Sequence, residues 1–468
     1  MMWSLLLWTL AGTSGSFALE TIWNPTRKAA YFNGDVHEAI MKNKTASFYS
    51  LCQRPVFFGN QPLRVDAQRV REFIGRTGEF KCNNIDLYSF KSHAELGSPT
   101  GEGSSSWGWE YAGRDFAIIA QSDGAAFAEI LPSGELDYLG RLPRTQGAAA
   151  SIWREIRVSG NIAVIGSEAS NHHIQFFDLT KLLTITPAQK PKTFDPTTDA
   201  SIFGGLPTGR THNVVVNPDL PYVVSVGSAP RTSQFGAGLV FIDIRDPANP
   251  TLMGYQAQDG YVHDAQCLLY RGPDARFQGK DICYGYNEDT LTIYDVTNKA
   301  NATIISRTSY TGASYTHQGW VLDPNDQRFL VLDDEYDEYD MAGLAKDGFP
   351  VTYIWDISDL TKPVLTGHYK SSVKGIDHNQ YVANGKSYQS NYGAGLRILD
   401  VSSIPSDPTG AGVREIGFFD IYPEDDNATG GGIVDFVGTW SSYGLYKSGW
   451  ILINTIERGA YVVKYTGN

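Results

Sequence analysis

A short strand-and-turn pattern, repeated five times, constrains the fold of this chain more than any other feature. In each copy, apolar residues lead to an aspartate that is followed by an aliphatic and a polar residue. The copies are roughly 45 to 65 residues apart, a spacing typical of four-stranded propeller blades. The aspartate side chain suits a turn, because it can accept hydrogen bonds from backbone amides two residues on. These aspartates are Asp178, Asp243, Asp295, Asp356 and Asp400.

The segments between these turns read as further strands and contain no helical periodicity. Aromatic residues make up 12% of the chain and there are 48 glycines, which favours strands and tight turns. Counting outwards from the turns predicts seven innermost strands, and therefore an all-β, seven-bladed propeller. The predicted starting points of these strands are Trp107, Trp153, His212, His263, His317, His378 and Trp440.

The last repeat lacks an outer strand. The segment Ile85–Phe90 precedes the first blade and can supply it, which closes the ring and removes two open sheet edges. The segment Val65–Ile74 has helical spacing, so we expect a small, partly helical cap before the ring. The predicted organisation is a signal peptide over residues 1–18, the cap over 19–80 and the propeller over 81–468.

Several features predict export from the cell. Residues 1–18 contain a short apolar run that ends in small residues, which is typical of a signal peptide, so we expect the protein to be secreted and released. Four cysteines suit an oxidising compartment. Cys267 and Cys283 fall on adjacent predicted strands and can form a bridge, which leaves Cys52 to pair with Cys82. The glycosylation acceptors are Asn43, Asn301 and Asn427.

Charge and motifs exclude several functions. The formal net charge of −13 and the lack of a basic run argue against a nucleic-acid partner. No segment is apolar for long enough to predict a membrane span. The nucleophile elbow of serine hydrolases, the P-loop and the HExxH zinc motif are all missing. We expect a monomer.

At family level, the DIRDPANPTLMGY unit resembles the LVIVD repeat. The segments YVHDAQCLLYRG, YTHQGW, LVLDDE, IDHN, QSNYGAGLRILDV and FFDIYPEDD together resemble the choice-of-anchor B family of extracellular propellers. The resemblance runs from about Cys82 to the end of the chain. It implies a propeller with an extracellular or cell-surface location, and it implies no particular reaction.

Four histidines are the main candidates for a functional site. His212, His263, His317 and His378 each begin an innermost strand, so we expect them to converge at one mouth of the central channel. Converging imidazoles can bind a divalent metal such as zinc or manganese. Asp264 and Glu155 are candidates for a further ligand or a supporting group.

Two other interpretations of these histidines remain open. His263 or His317 can act as a general acid or base, with Arg154, Arg210 and Lys374 holding an anionic substrate and Tyr315 and Tyr392 stacking on sugar rings. Alternatively, the histidines only bond to the backbone of a neighbouring blade and fix its packing.

Two acidic stretches were interpreted as loops. The run from Asp333 to Asp340 can supply oxygen ligands for calcium, but a solvated loop of like charges is favoured. Asp334 and Glu335 at its start can still act near the histidines. The run Glu424–Asp426 adjoins a glycosylation acceptor, which favours an exposed loop.

The sequence supports two functions and does not decide between an enzyme and a binding protein. The first is a secreted propeller that binds an extracellular glycan or protein at the histidine-lined mouth, with a divalent metal (zinc, manganese or calcium) as a candidate cofactor. The alternative is a metal-assisted or histidine-based lyase or hydrolase that acts on a glycan containing uronic acids.

Overall fold

Seven β-sheets of four or five strands provide almost all regular structure in the part of the chain that is described. The computed structural model describes Tyr31, residues 33–52 and residues 80–467. The innermost strands of successive sheets contact each other in sequence, and the innermost strand of the last sheet contacts that of the first. The sheets therefore form a closed ring of blades, which confirms the predicted all-β, seven-bladed propeller.

Among the described residues, one helix and two strands precede the first blade, and the first three blades follow the sequence order of their strands. The preceding elements are α1 (Asp35–Cys52), β1 (Cys82–Asn83) and β2 (Ile85–Ser92). Blade one contains β3 (Gly103–Tyr111), β4 (Arg114–Gln121), β5 (Gly124–Ile130) and β6 (Leu136–Pro143). Blade two contains β7 (Arg154–Ser159), β8 (Ile162–Ser167), β9 (Ile174–Asp178) and β11 (Ala200–Phe203). The short strand β10 (Lys192–Thr193), between β9 and β11 in the chain, pairs with β6 and extends blade one. Blade three contains β12 (Asn213–Val216), β13 (Tyr222–Val226), β14 (Leu239–Asp243) and β15 (Thr251–Gln256).

The last four blades repeat the same antiparallel order. Blade four contains β16 (Asp264–Leu269), β17 (Asp281–Tyr286), β18 (Leu291–Asp295) and β19 (Thr303–Thr308). Blade five contains β20 (Thr316–Val321), β21 (Phe329–Asp334), β22 (Val351–Asp356) and β23 (Val364–Lys370). Blade six contains β24 (Asn379–Ala383), β25 (Lys386–Ser390), β26 (Leu396–Asp400) and β27 (Arg414–Phe419), and blade seven contains β28 (Thr439–Tyr443), β29 (Trp450–Thr455) and β30 (Gly459–Tyr465). Four short 3₁₀ helices lie in the connecting loops: Leu179–Thr184, Pro187–Gln189, Lys299–Asn301 and Gly343–Ala345.

The strand β2 closes the ring by pairing antiparallel with β30. Ile85 lies opposite Tyr465 at one end of this pairing and Ser92 lies opposite Gly459 at the other. Blade seven therefore takes its outer strand from the N-terminal side of the propeller, which confirms the predicted closure. The neighbouring strand β1 pairs with β27 and extends blade six.

The repeated aspartates have the structural role that the sequence predicts. Asp178 Oδ1 accepts a hydrogen bond from the Thr180 amide over 2.9 Å, and Asp356 Oδ1 accepts one from the Ser358 amide over 2.8 Å. The other three aspartates make the equivalent bond to the amide two residues on. Each carboxylate thus holds the turn that leaves the third strand of its blade.

A disulfide joins the first two strands of blade four. Cys267 and Cys283 lie directly opposite each other on β16 and β17, and their sulfur atoms are bonded. This confirms the predicted bridge. The side chain of Cys52 lies outside the described residues, so its pairing with Cys82 stays a prediction.

Part of the predicted N-terminal organisation is seen. The helix α1 confirms that the region before the ring is partly helical. The predicted signal peptide and the segment Val65–Ile74 lie outside the described residues, and the domain boundaries stay predictions. Among the described helices, none combines the length and apolar character needed to cross a membrane.

Shortening a side chain of the closing strand should destabilise the whole ring. Ile85 is 1% exposed and packs among the buried residues of blades six and seven. We expect Ile85→Ala to lower the free energy of unfolding by about 2–4 kcal/mol, because it leaves a cavity in a closed interface. The measurement is the midpoint of urea unfolding.

The matched control is Val364→Ala on β23, where the side chain is 38% exposed. This variant should change stability by less than about 0.5 kcal/mol. Equal effects of the two substitutions would show that β2 does not hold the ring closed.

Candidate functional site

The four predicted histidines lie next to one another in an arc at one end of the channel. Three come immediately before an innermost strand (β12, β16 and β24), and His317 is the second residue of β20. The ring centroids of His212 and His263 are 4.1 Å apart, those of His263 and His317 are 4.1 Å apart, and those of His317 and His378 are 4.6 Å apart. All four side chains are buried. The propeller therefore brings together residues from four successive blades.

Two of these rings are oriented by the backbone of a neighbouring blade. His263 Nδ1 donates a hydrogen bond to the carbonyl oxygen of His317 over 3.0 Å, and His378 Nδ1 donates to that of Trp440 over 2.7 Å. A carbonyl oxygen can only accept, so Nδ1 carries the proton in both rings. The lone pair of a neutral ring then lies on Nε2.

The other two rings are oriented by carboxylates. His212 Nδ1 donates to Glu168 Oε1, and His317 Nδ1 lies 3.1 Å from Asp333 Oδ1. Bonds of this type from Nδ1 are typical of histidines that bind a metal through Nε2. The interpretation of the histidines as packing residues explains the bonds to carbonyls, but it does not explain why all four leave the same nitrogen available.

Burial keeps most of these imidazoles neutral. It lowers the pKa of His263 and of His317 well below the usual value, and it lowers the pKa of His378 to about 4. Protonation is unfavourable there because a charged ring loses its hydration. Neutral imidazoles can donate a lone pair to a metal near neutral pH.

A buried carboxylate, Glu335, faces the histidines. One of its oxygens lies 3.6 Å from His317 Nε2 and the other lies 3.5 Å from His378 Nε2. One atom each from His263, His317 and Glu335 can be chosen so that all three lie within 4.8 Å of one another. These donors are close enough to share one metal ion.

The interpretation of residues 333–340 as a solvated loop is wrong for most of this run. Asp333, Asp334, Glu335, Asp337 and Glu338 are each at most 1% exposed. The physical reason lies at the end of β21. There the Asp334 carboxylate accepts hydrogen bonds from two backbone amides of the loop before β20, those of Ser314 and Tyr315, at 2.8 and 2.6 Å. This bonding folds the acidic run towards the channel.

A repeated position in the sequence accounts for the location of Glu335, which was named above as able to act near the histidines. The first two strands of a blade are antiparallel, so a residue just after the second strand lies beside the residue that starts the first. Glu335 follows β21, and Glu168 and Glu288 lie just beyond β8 and β17 in the same way. Acidic residues at this repeated position mark the histidine end of the channel.

The carboxylates that were expected to support a metal lie elsewhere in the channel. Glu155 Oε1 pairs with Arg157, and Asp264 Oδ2 lies 3.6 Å from the same guanidinium. That guanidinium also stacks over the Trp107 ring, at 4.6 Å from its centroid. The structure assigns Glu155 and Asp264 to Arg157, and places Glu335 beside the histidines instead.

The helix α1 covers the histidine end of the ring. The Lys44 ammonium pairs with Glu335 Oε2, and His37 Nδ1 lies 2.7 Å from the Tyr315 hydroxyl. Ile40 packs into the apolar cluster that contains Tyr315. The sequence analysis did not identify Lys44 or His37, because no repeat or motif marks them.

The two predicted tyrosines also lie at the cluster. The Tyr392 hydroxyl donates to Glu335 Oε1 over 2.5 Å, and its ring centroid is 4.6 Å from that of His378. The Tyr315 ring centroid is 5.2 Å from that of His263. Both tyrosines are fully buried, so they line the histidine cluster and do not form an open stacking surface.

The three predicted basic residues differ in position. Arg210 is linked to the cluster through Glu168, since its Nη2 lies 3.2 Å from Glu168 Oε2. Arg154 is buried and donates to the carbonyl oxygen of Gln121 over 2.9 Å. The Lys374 ammonium lies 5.7 Å from the centroid of the Phe349 ring. Only Arg210 therefore has contacts that connect it to the histidines.

A cavity of about 960 Å³ runs between α1 and the loops of blades two to four. His37, Trp153 and Tyr261 contribute aromatic side chains to its wall, while Glu168 and Arg210 contribute charges. Glu168 also bonds to His212, so one wall of the cavity is linked to the histidine cluster. A ligand in this cavity would contact both the helix and the ring.

The three predicted glycosylation acceptors are all exposed: Asn43 on α1, Asn301 in a 3₁₀ helix and Asn427 in the loop after β27. Their exposure is compatible with glycosylation, which stays a prediction.

Comparison with known proteins supports the repeat. Residues 233–256 and 353–371 match the LVIVD repeat family model, and these segments contain the outer two strands of blade three and most of those of blade five. The chain therefore contains LVIVD repeats on a seven-bladed propeller. No curated protein matches the chain. A solved structure of the computationally designed Ika8 protein is similar, with a TM-score of 0.42 and 12% identity over 78% of this chain and 84% of that chain.

Removing the Lys44 ammonium should loosen α1. The substitution Lys44→Met leaves the buried Glu335 carboxylate without its cation, so we expect a loss of about 3 kcal/mol in the free energy of unfolding when metal is chelated. Limited proteolysis should also cut α1 faster. The matched control is Lys42→Met on the exposed side of the same helix, which should behave like the unmodified protein. Equal behaviour of both variants would contradict the role of Lys44.

Proposed function

We propose that this protein is an extracellular ligand-binding propeller that holds a divalent transition-metal ion with its histidine cluster. The observation that carries the proposal is the convergence of His263, His317 and Glu335, with neighbouring rings whose Nδ1 atoms are already bonded. Such an arrangement costs free energy when buried without a ligand, because the polar groups lose their hydration. It also restricts each ring to the orientation that a metal requires.

The donor set favours zinc or manganese over calcium. Neutral imidazoles with one carboxylate suit these metals, whereas calcium prefers ligands that are all oxygen. The Lys44 ammonium and a metal ion compete for Glu335 Oε2, because two cations repel each other at bonding distance from one oxygen. Metal binding at this carboxylate therefore requires Lys44 to move.

The cavity beside α1 is the proposed ligand site, and an anionic glycan is the proposed ligand. Trp153, which is partly exposed, offers an aromatic face for a sugar ring. The Arg210 side chain is 40% exposed and lies at the same cavity, where its guanidinium can bind a carboxylate. A sugar acid bound here lies between a basic group and the metal site.

The same proposal includes the cellular setting. We propose a secreted, glycosylated monomer that belongs to the choice-of-anchor B family. Support comes from the LVIVD repeats, the disulfide between Cys267 and Cys283, and the exposure of the three acceptor asparagines. Disulfides of this kind persist in oxidising compartments.

An enzyme that cleaves uronic-acid glycans is the second candidate. The observation that favours it is the close contact of a buried tyrosine hydroxyl, Tyr392, with Glu335 beside the proposed metal. A hydroxyl and a histidine next to a metal can exchange a proton with a substrate held in the cavity.

Metal content tests the cluster directly. Elemental mass spectrometry of protein purified without chelators should detect about one equivalent of zinc or manganese per chain. The double variant His263→Ala with His317→Ala should lose it, because it removes two of the proposed ligands. His368→Ala on the outer strand β23 is the matched control and should retain the metal. A folded protein that binds neither metal on reconstitution would contradict the proposal.

Ligand binding tests the cavity. Polymers of uronic acids should bind the protein by isothermal titration calorimetry, and Arg210→Ala should weaken this binding about tenfold through the loss of a charged hydrogen bond. Arg414→Ala, which removes a side chain that is 74% exposed on blade six, is the control.

Unsaturated products that absorb ultraviolet light would identify a lyase, and binding without products would identify a binding protein. A lack of binding to every polymer would exclude the glycan proposal.

A further inference from the structure

A second group of carboxylates lies in and just before the turns of the loop after β27. One oxygen from each of Asp420, Asp425 and Asp426 lies within 4.8 Å of the others. This loop was interpreted from the sequence as exposed. That interpretation is wrong for its central residue, because Asp425 is only 5% exposed, and Asp420 is 2% exposed. The loop folds inwards since the Asp425 amide bonds to the carbonyl oxygen of Tyr422.

The Asp425 carboxylate has an oxygen that lacks a hydrogen-bond partner within the described part of the chain. Its Oδ2 accepts from the Ile433 amide over 3.1 Å, whereas Oδ1 is buried and accepts from no described donor. A buried carboxylate oxygen that has lost its hydration is costly unless a donor or a cation replaces the water. Because the Asp425 carboxylate belongs to a group of three carboxylates, a cation is the favoured replacement.

The charges around the group do not balance. The Lys81 ammonium lies 3.2 Å from Asp426 Oδ1 and is the one cation that pairs with the three carboxylates among the described residues. The nearby Arg397 guanidinium is already bonded to Glu415, at 3.3 Å. When all three carboxylates are ionised, two negative charges remain, which a divalent ion would neutralise.

The backbone leaves room for close approach at this point. Gly393 lies against Asp425, and a Cβ atom at that position would be 3.1 Å from Asp425 Oδ2. A larger residue would press on the carboxylate and turn it. The glycine thus allows the carboxylate to lie where the other two can reach the same ion.

We propose that Asp420, Asp425 and Asp426 form a calcium-binding site that ties the loop after β27 to the chain that enters β1. All three protein ligands are oxygen atoms, which calcium prefers, and the partly exposed Asp426 leaves space for water to complete six to eight ligands. The Asp420 amide donates to the carbonyl oxygen of Lys81 over 2.9 Å, so the site lies where the N-terminal strands join blade six. None of its three ligands belongs to the histidine cluster.

Calcium titration of the full chain tests the site. After treatment with a chelator, the protein should bind about one calcium ion by calorimetry, and its melting temperature should rise as calcium is added. Asp425→Asn should weaken calcium binding by at least about tenfold, because it removes the central ligand charge. Glu424→Gln is the matched control on the same loop, since the Glu424 carboxylate bonds to Arg458 at 2.6 Å instead.

A second variant keeps the test decisive if Asp425→Asn does not fold. Lys81→Met removes the competing ammonium and should strengthen calcium binding several-fold. The double variant His263→Ala with His317→Ala should keep its calcium affinity, whatever the outcome for the histidine cluster. Absence of calcium binding at millimolar concentration, unchanged binding in Asp425→Asn, or loss of binding in the histidine variant would each overturn the proposal.

Discussion

The pairing of β2 with β30 is the contact on which the rest of this molecule depends. A blade buries its two faces only against neighbouring blades, so the first and last blades need each other as much as any other pair. The strand from Ile85 to Ser92 completes blade seven and brings it against blade one. The ring can then hold its inner strands at fixed positions around the channel. Without that closure, the first residues of these strands would not be held together around one channel.

Convergence at the channel end explains why so many polar groups are buried there. The four histidines, Glu335 and Lys44 lie where strand starts and the ends of second strands meet. Each buried group is costly on its own, and the Nδ1 bonds and the Lys44 pair offset part of this cost. Such departures from an apolar interior are typical of functional sites, where stability is given up for a preorganised arrangement.

The helix α1 limits access to the histidine cluster at the mouth of the propeller. An uncovered ring would expose the histidines to solvent and to any ligand. Lys44 and His37 contact the cluster from the helix, and the cavity lined by Trp153 and Arg210 lies to one side of these contacts. The site is thus enclosed on one side by an element outside the ring, and access depends on how firmly that element is held.

Calcium bound in the loop after β27 would stabilise a second group of buried polar side chains, at the outer strand of blade six. The N-terminal strands reach blades six and seven through a segment that adjoins Lys81. An ion held by Asp420 and Asp425 would strengthen this junction. Two metals of different chemistry could then serve two purposes, one at the channel and one at the closure.

The class of fold, the number of blades, the closing strand, the Cys267–Cys283 bridge and the positions of the histidines were all predictable from sequence pattern alone. These follow from local rules, since alternation, turn aspartates and repeat spacing are properties of short segments. The burial of Glu335 and Asp425, the pairing of Glu155 with Arg157 and the position of α1 over the histidine end were visible only in the folded chain. Burial and charge pairing depend on which distant segments of the chain come into contact. A run of acidic residues has the same local sequence pattern whether it forms a solvated loop or a buried cluster.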